Sequence, residues 1–357
     1  MQKETSKCQV GQQTMRMNIG MIVGESFFKN TSFYIANLII KQARGRQNTV
    51  FIFNRTTSQL HIAGTTEITV GKFFYGQRIN SLCKKNLIER LLVFEAKDIA
   101  NNALAKIIFV NPNPGEQGLY EKLNCGSRVI TFLEKQKPTK ATQQMDERVF
   151  VTEPVVEKGF WSLNYDEKLA AKEKFAEGKV YFVYNDFQND KDKFVEVLKA
   201  FSAFKKMQQS SWKLLVLQRN TIAGSKKEEM LQPLSSFKFR EDITVLEGLD
   251  TGTLAKIIGG AYALISNTKN IIYDPSVFEA LLCNVPVIAT SNDINEKYSQ
   301  AILQTTSSAP EQIAEKMMVL YKDENLRSRI SEKAGEIMKG FDAEQNISEL
   351  TNLIINN

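Results

Sequence analysis

Short apolar runs alternate with amphipathic segments from residue 180 onward, and this alternation constrains the fold more than any other feature of the sequence. The apolar runs, which predict buried strands, are 180–184, 213–217, 243–246, 261–266 and 285–289. Between them apolar residues recur at helical spacing, as in Phe194, Val197 and Phe201. Parallel strands are expected, because a right-handed crossover returns each helix to the sheet before the next strand begins.

The chain has 357 residues, which is more than one hydrophobic core usually supports, so two domains are expected. A strand at 17–23, a helix at 32–43 and a strand at 50–53 begin a first Rossmann-like domain. Further along, the pattern predicts a helix at 84–104 and strands at 107–110, 128–132 and 149–152. The predicted limits are a disordered leader at 1–16, a shortened first domain at 17–157, a second domain at 158–340 and a tail helix at 341–357.

The first domain is the basic half of the chain. Residues 1–157 carry 21 Lys and Arg against 13 Asp and Glu, a net charge of +8, and the remainder carries 25 against 27, or −2. The dispersed basic residues, which include Lys41, Arg44, Lys84 and Lys85, favour a solvated surface, with anionic lipid headgroups or a phosphorylated acceptor as alternatives. Nucleic acid is not an expected partner, because no stripe of basic and aromatic residues accompanies the charge.

Cellular location and metal content are constrained by what the sequence lacks. No apolar run approaches the roughly 20 residues that span a bilayer, and the start has no apolar signal-peptide core. A cytoplasmic location is expected, with peripheral contact to the inner membrane through the basic domain left open. His61 is the only histidine and the four cysteines form no Cys-x-x-Cys pair, so neither a metal site nor a redox site is expected.

The stretch Tyr273–Thr290 contains the most specific motif, Phe278-Glu-Ala-Leu-Leu-Cys-Asn-Val-Pro-Val-Ile288, between two apolar strands. This motif resembles the nucleotide-sugar loop of group 1 glycosyltransferases of the GT-B fold, and residues 149–345 resemble the donor domain of that family. The resemblance implies an α/β architecture of two Rossmann-like domains that face each other across a cleft, with a C-terminal helix that crosses back to the first domain. In residues 17–148 it is weak.

The resemblance also implies a function and a set of site residues. The implied reaction is retaining transfer of a sugar from a nucleotide-sugar to a glycan or lipid-linked acceptor, with no cofactor besides that co-substrate. Glu279 corresponds to a glutamate that accepts hydrogen bonds from ribose, and Arg219 to an arginine that holds the diphosphate. Lys191 and Lys193 flank the position of the family's lysine. Tyr273 and Ser276, beside the loop, complete the predicted nucleotide-sugar-binding set, while no catalytic residue is assigned.

Several positions depart from the family pattern where the diphosphate should bind. A glycine and a basic residue are replaced by Asp186 and Phe187, and the lysine by Asp192. The first glutamate of a pair becomes Ile271, and the loop between the pair contains the bulky, acidic segment 272–274. An aspartate that faces a diphosphate repels it, by about 4 kcal/mol per pair of unit charges 4 Å apart at an effective dielectric constant near 20.

Three hypotheses therefore stay open from the sequence. The first is an active glycosyltransferase with an unusual donor site, in surface-polysaccharide synthesis. The second is a catalytically degenerate GT-B protein that acts as a binding or regulatory partner. The third is a sensor of a nucleotide or metabolite, since a fold does not determine a function.

Overall fold

The computed structural model describes residues 16–24, 32–55, 62–70, 75–94, 105–110, 128–131, 149–185, 190–219, 225–268, 271, 274–291, 294 and 296–355. Within these ranges the chain forms two parallel β-sheets with helices packed against them. The predicted leader lies almost entirely outside the described residues, and the predicted domain limits stay a prediction.

The first sheet contains seven strands. They are β1 (Asn18–Val23), β2 (Thr49–Asn54), β3 (Thr66–Thr69), β4 (Arg90–Val93), β5 (Lys106–Val110), β6 (Arg128–Thr131) and β7 (Val149–Val151). Their order in the sheet is β3-β2-β1-β4-β5-β6-β7, and every pairing is parallel. Two described helices belong to this part of the chain, α1 (Ser32–Gly45) and α2 (Tyr75–Lys85). Helix α1 buries Ile35, Ile39 and Ala43 on one face, as its spacing predicts.

The predicted helix at 84–104 is wrong. Helix α2 ends at Lys85, and β4 follows at Arg90–Val93 as a neighbour of β1 in the middle of the sheet. Leu91, Leu92 and Val93 are fully buried because both faces of a parallel sheet are covered. Such a short apolar run has no periodicity that distinguishes a buried strand from a helix. Strand β3, a polar edge strand with a single apolar residue, was not predicted either.

The second sheet contains six strands. They are β8 (Tyr181–Asn185), β9 (Lys213–Gln218), β10 (Ile243–Glu247), β11 (Ala263–Ser266), β12 (Val287–Ala289) and β13 (Ile302–Gln304). Their order is β10-β9-β8-β11-β12-β13, again all parallel. The first five confirm the strands expected from the alternation, whereas β13 is three residues long and was missed. The direction of strand order reverses between β8 and β11, which is where open α/β sheets bind ligands beyond the carboxyl ends of their strands.

The remaining described helices surround this second sheet or follow it. They are α3 (Tyr165–Ala176), α4 (Lys191–Gln208), α5 (Ser225–Ser235), α6 (Thr251–Gly259), α7 (Pro275–Leu282), α8 (Glu296–Ser299), α9 (Pro310–Lys322), α10 (Glu324–Met338) and α11 (Ala343–Ile355).

Helix α11 crosses back to the first sheet, as expected. Its buried residues Ile347, Leu350 and Ile354 pack in the same apolar cluster as α1 and β1. Arg46, just beyond α1, donates to Asn352 Oδ1 at 2.7 Å and to Ser348 Oγ at 3.3 Å. Each fully buried aliphatic side chain contributes about 1.5–3 kcal/mol, so this helix is a substantial link between the two halves of the chain.

Candidate functional site

The centre of the candidate site is an ion pair between Arg219 and Glu279. Arg219 directly follows β9, at the carboxyl edge of the second sheet, and Glu279 lies in the second turn of α7. The guanidinium donates from Nη1 to Glu279 Oε1 at 2.8 Å and from Nη2 to Oε2. The structure thus brings together the two residues that the sequence assigned to diphosphate and ribose, and it pairs them with each other through a two-pronged hydrogen bond.

This ion pair is shielded from solvent. Glu279 is fully buried, and only 12% of the Arg219 side chain is exposed. Burial raises the pKa of the Glu279 carboxyl because the charged form loses its hydration, and the charge of Arg219 opposes that rise. A buried pair of this kind is costly to break on one side only, because the remaining charge is left without a partner.

Tyr34 of α1 covers the pair from the first domain. Its hydroxyl donates to Glu279 Oε1 at 3.3 Å and accepts from the backbone N–H of Glu157 at 2.6 Å. Its ring centroid lies 5.6 Å from the Arg219 guanidinium carbon, within the range of a cation–π contact. Burial raises the pKa of Tyr34 well above its usual value, so the hydroxyl stays protonated and can donate. Neither Tyr34 nor Glu157 was predicted as a site residue.

A second set of contacts joins the two halves of the chain beside Tyr34. Lys41 Nζ lies 2.6 Å from Glu157 Oε1, and Thr251 Oγ1 at the start of α6 donates to Glu157 Oε2 at 2.7 Å. Burial of Glu157 alone would raise the pKa of its carboxyl, but the hydrogen bonds from Lys41 and Thr251 outweigh that effect and lower it. Glu157 therefore stays ionised at neutral pH and connects α1 to α6.

A small cleft lies between these elements. Its volume is about 210 Å³, and Arg219, Tyr34, Lys41, Glu157 and Thr251 are among the residues that line it. The second-domain wall comes from the ends of β9 and β10 and from α6, whereas α1 forms the opposite wall. Pockets for larger organic ligands are usually about 300–1,000 Å³ in volume. The cleft thus has room for part of a nucleotide-sugar, and Glu279 lies behind Arg219 rather than in the lining.

Ser276 lies at the start of α7 and takes part in a local cap. Asp274 is the N-cap residue; its carboxylate accepts from the Ser276 N–H at 3.1 Å, from the Ser276 hydroxyl, and from Ser266 Oγ at 2.5 Å. Pro275 occupies the first turn, where its missing N–H is not needed. Burial raises the pKa of Asp274, and the hydrogen bonds from Ser266 and Ser276 oppose the rise. The Ser276 hydroxyl is fully buried in this cap.

The two predicted lysines lie at the start of α4, away from the cleft lining. Lys191 Nζ donates to Gln232 Oε1 of α5 at 3.1 Å, and Lys193 is half-buried. The N-cap carboxylate of Asp190 accepts from the N–H groups of Asp192 and Lys193 at 3.0 and 3.3 Å. These amides are the groups with which a helix start binds phosphate. In this chain a side chain of the protein already occupies them.

Of the remaining positions discussed from the sequence, the structure describes Ile271. Ile271 is fully buried in the apolar core, so it presents no polar group to a ligand. Tyr273, His61, Asp186, Phe187 and Ile272 lie outside the described residues.

One polar residue at the carboxyl edge of β8 was missed. Asn185 is 4% exposed, and within the described chain neither its Oδ1 nor its Nδ2 has a hydrogen-bond partner. Strand β8 pairs with β11 at the reversal of strand order, so Asn185 stands where ligands of such sheets bind. Its signal in the sequence was its place directly after an apolar run, but the predicted strand ended one residue earlier.

Two kinds of feature are not found in the described residues. None of their helices is long and apolar enough to cross a bilayer. No group of three or more His, Cys, Asp or Glu side chains among them is arranged to hold a metal ion.

Comparison with known proteins identifies the fold. No protein-family model and no curated protein sequence matches the chain. Among solved structures, WaaG, a glycosyltransferase involved in lipopolysaccharide biosynthesis, aligns with a TM-score of 0.67 at 13% identity over 95% of this chain and 100% of its own. Anabaena HepE in complex with UDP and glucose gives 0.67 at 10% identity over 94% and 99%.

A UDP-N-acetylglucosamine 2-epimerase also aligns, with a TM-score of 0.54 at 10% identity over 95% of each chain. At such identities the likeness concerns architecture, and these neighbours differ in chemistry. The two parallel sheets and the helix that crosses back agree with that architecture. The chain therefore has the GT-B fold of two Rossmann-like domains.

Proposed function

We propose that the protein transfers a sugar from a nucleotide-sugar donor to a glycan or lipid-linked acceptor, in the synthesis of a surface polysaccharide. The observation that carries this proposal is the Arg219–Glu279 pair at the carboxyl edge of the second sheet, beside a cleft that faces the first domain. WaaG, which has the same fold, is a glycosyltransferase involved in lipopolysaccharide biosynthesis, and HepE was solved with UDP and glucose.

The ion pair supports donor binding because each partner matches one part of a nucleotide diphosphate. A guanidinium donates in a planar fork that fits phosphate oxygens, and a carboxylate accepts from ribose hydroxyls. In the structure the two groups are hydrogen-bonded to each other, so each already uses the atoms that would bind the ligand. On donor binding, we propose that the diphosphate replaces Glu279 at Arg219 while the ribose takes up Glu279, so neither buried charge is left unpaired.

This exchange requires the two domains to separate. Tyr34 holds Glu279 from the first domain, and the 210 Å³ cleft takes only part of a donor. We therefore propose an open state that admits the donor and a closed state in which Tyr34 contacts Glu279, as in this structure. Hinged closure around a ligand is common in two-domain enzymes, because it excludes water and aligns the reactants.

The charge of the first domain supports the proposed acceptor and location. The first domain carries the basic excess, which suits an anionic acceptor or peripheral contact with a membrane surface from the cytoplasmic side.

A second candidate function is that of a catalytically degenerate binding or regulatory partner. The observation that favours it is the start of α4, where Asp190 occupies the amides that would otherwise face a diphosphate. Ile271 and the buried Asp274 point the same way, since one has no polar group and the other adds negative charge near Arg219.

Calorimetric titration with a panel of nucleotide-sugars and nucleoside diphosphates tests both candidates. Micromolar binding of a nucleotide-sugar, with sugar transfer to a glycan acceptor, supports the transferase. Binding of nucleotide without any sugar preference supports a sensor, and the absence of binding supports the partner role. Glu279→Ala should weaken any nucleotide binding, whereas Glu229→Ala, on the exposed face of α5, should leave it unchanged. Equal affinity of wild type and Glu279→Ala would rule out the ribose role.

A further inference from the structure

A second hollow, the α1 groove, adjoins the cleft. Its volume is about 430 Å³, and its lining includes Asn37, Ile40, Lys41, Arg44, Ile62 and Ala63. Asn37 and Lys41 line the cleft as well, so the two hollows meet along α1. A ligand bound in the α1 groove would therefore lie next to a donor bound in the cleft.

Two of the three polar side chains that line the α1 groove, Lys41 and Arg44, are positively charged hydrogen-bond donors. Asn37, Lys41 and Arg44 are spaced four and three residues apart, which places them on one face of the helix. The Lys41 side chain is 71% exposed, and Glu157 is its one ion-pair partner among the described residues. Within the described chain no carboxylate pairs with Arg44, whose single hydrogen bond is a long one of 3.4 Å to the Ala63 carbonyl. Both cations are thus accessible to an anion.

A tight turn holds the Arg44 guanidinium in place. The turn spans residues 62–65, closed by the Thr65 N–H and hydroxyl, which donate to the Ile62 carbonyl. Gly64 has a φ of +75°, which strains any other residue, and a Cβ there would collide with the Arg44 guanidinium. The guanidinium therefore lies flat against a residue that has no side chain, and this contact limits its freedom before any ligand binds.

We propose that the α1 groove binds the phosphate group of the acceptor, and this role rests on the proposed transferase function. Arg44 and Lys41 donate to the phosphate oxygens, with Asn37 as a neutral donor, while the apolar surface of Ile40 and Ile62 contacts the organic part. A phosphorylated glycan and the headgroup of a phospholipid share this chemistry. The phosphate competes with Glu157 for Lys41, so its binding also loosens one link between α1 and α6.

The test measures phosphate binding without any nucleotide. Glucose 1-phosphate is titrated calorimetrically into the full chain, and co-sedimentation is measured with phosphatidylcholine vesicles with and without phosphatidic acid. Three variants are compared with wild type: Arg44→Gln, Gly64→Ala and the control Lys84→Gln. Lys84 is exposed on α2 of the same domain and lines neither hollow, so the control removes an equal charge elsewhere.

We expect wild type to bind at least one of the two probes, and the probe it prefers distinguishes a soluble acceptor from a lipid. Arg44→Gln should weaken that binding about tenfold or more, because the loss of one charge-assisted hydrogen bond typically lowers affinity by that factor. Gly64→Ala should weaken it too, although it removes no charge, while Lys84→Gln stays within about twofold. The proposal is overturned if wild type binds neither probe, or if Lys84→Gln weakens binding as much as Arg44→Gln. Arg44 does not line the cleft, so nucleotide-sugar titration of Arg44→Gln tests the proposed donor binding independently of phosphate binding in the α1 groove.

Discussion

Replacing Arg219 by methionine should destabilise the second domain more than most single substitutions. The change removes the guanidinium that pairs with the fully buried Glu279 carboxylate. Among the described side chains, the Tyr34 hydroxyl at 3.3 Å is then the one remaining hydrogen-bond donor to this carboxylate. Removing one partner of a buried ion pair typically costs about 3–5 kcal/mol, because the remaining charge keeps its desolvation penalty without its compensation. We expect a loss of unfolding free energy in that range.

The double variant Arg219→Met/Glu279→Leu is the matched control. Replacing both members of a buried pair by apolar side chains of similar size is often neutral or even stabilising, since neither charge then needs to lose its hydration. The double variant should therefore recover most of the stability that the single variant loses. This recovery distinguishes an unpaired charge from a simple loss of packing around residue 219.

Urea unfolding followed by tryptophan fluorescence measures these changes. Both tryptophans, Trp161 and Trp212, lie in the part of the chain that follows β7, so the signal reports on the second domain. For a domain of this size, 3–5 kcal/mol corresponds to a fall of about 6–20 °C in Tm. A single variant that costs less than about 1 kcal/mol, or a double variant as unstable as the single one, would refute this account of the pair.

Three further predictions concern the contacts between domains and the first sheet. Tyr34→Phe should lower the unfolding free energy by about 1–3 kcal/mol, because the partly buried N–H of Glu157 loses its acceptor and the buried Glu279 carboxylate loses a donor; an unchanged Tm would contradict this. The hydrogen bonds from Lys41 and Thr251 lower the pKa of Glu157, so its stabilising contact is present at neutral pH and is lost in acid, as pH falls through that lowered pKa. Urea unfolding should show that wild type loses more stability between neutral pH and acid than Lys41→Met does, because the variant lacks the ion pair at either pH. Gly20→Ala should cost about 1–3 kcal/mol in thermal denaturation, since the new Cβ would lie 2.8 Å from the Phe53 ring; a neutral result would show that the β1 core can relax.

Sequence patterns predicted most of the elements because hydrophobic periodicity is a local property. The apolar runs after residue 180 needed only their own neighbours to specify strands, and the crossover rule then made the sheet parallel. The same reasoning failed at Arg90–Val93, where a short apolar run became a central strand instead of a helix. Burial on both faces of the sheet removes the periodicity on which a local pattern depends.

The sequence by itself determined the α/β class through its periodicity, while its resemblance to the GT-B family implied the two facing domains, the crossing tail and the site residues Arg219 and Glu279. Only the tertiary structure decided what those groups contact. Tyr34 and Glu279 are 245 residues apart in the chain, and no spacing rule relates a tyrosine on α1 to a glutamate on α7. The pairing of a buried charge depends on which groups the folded chain brings within hydrogen-bond distance, and local sequence patterns carry no information about distance across a cleft.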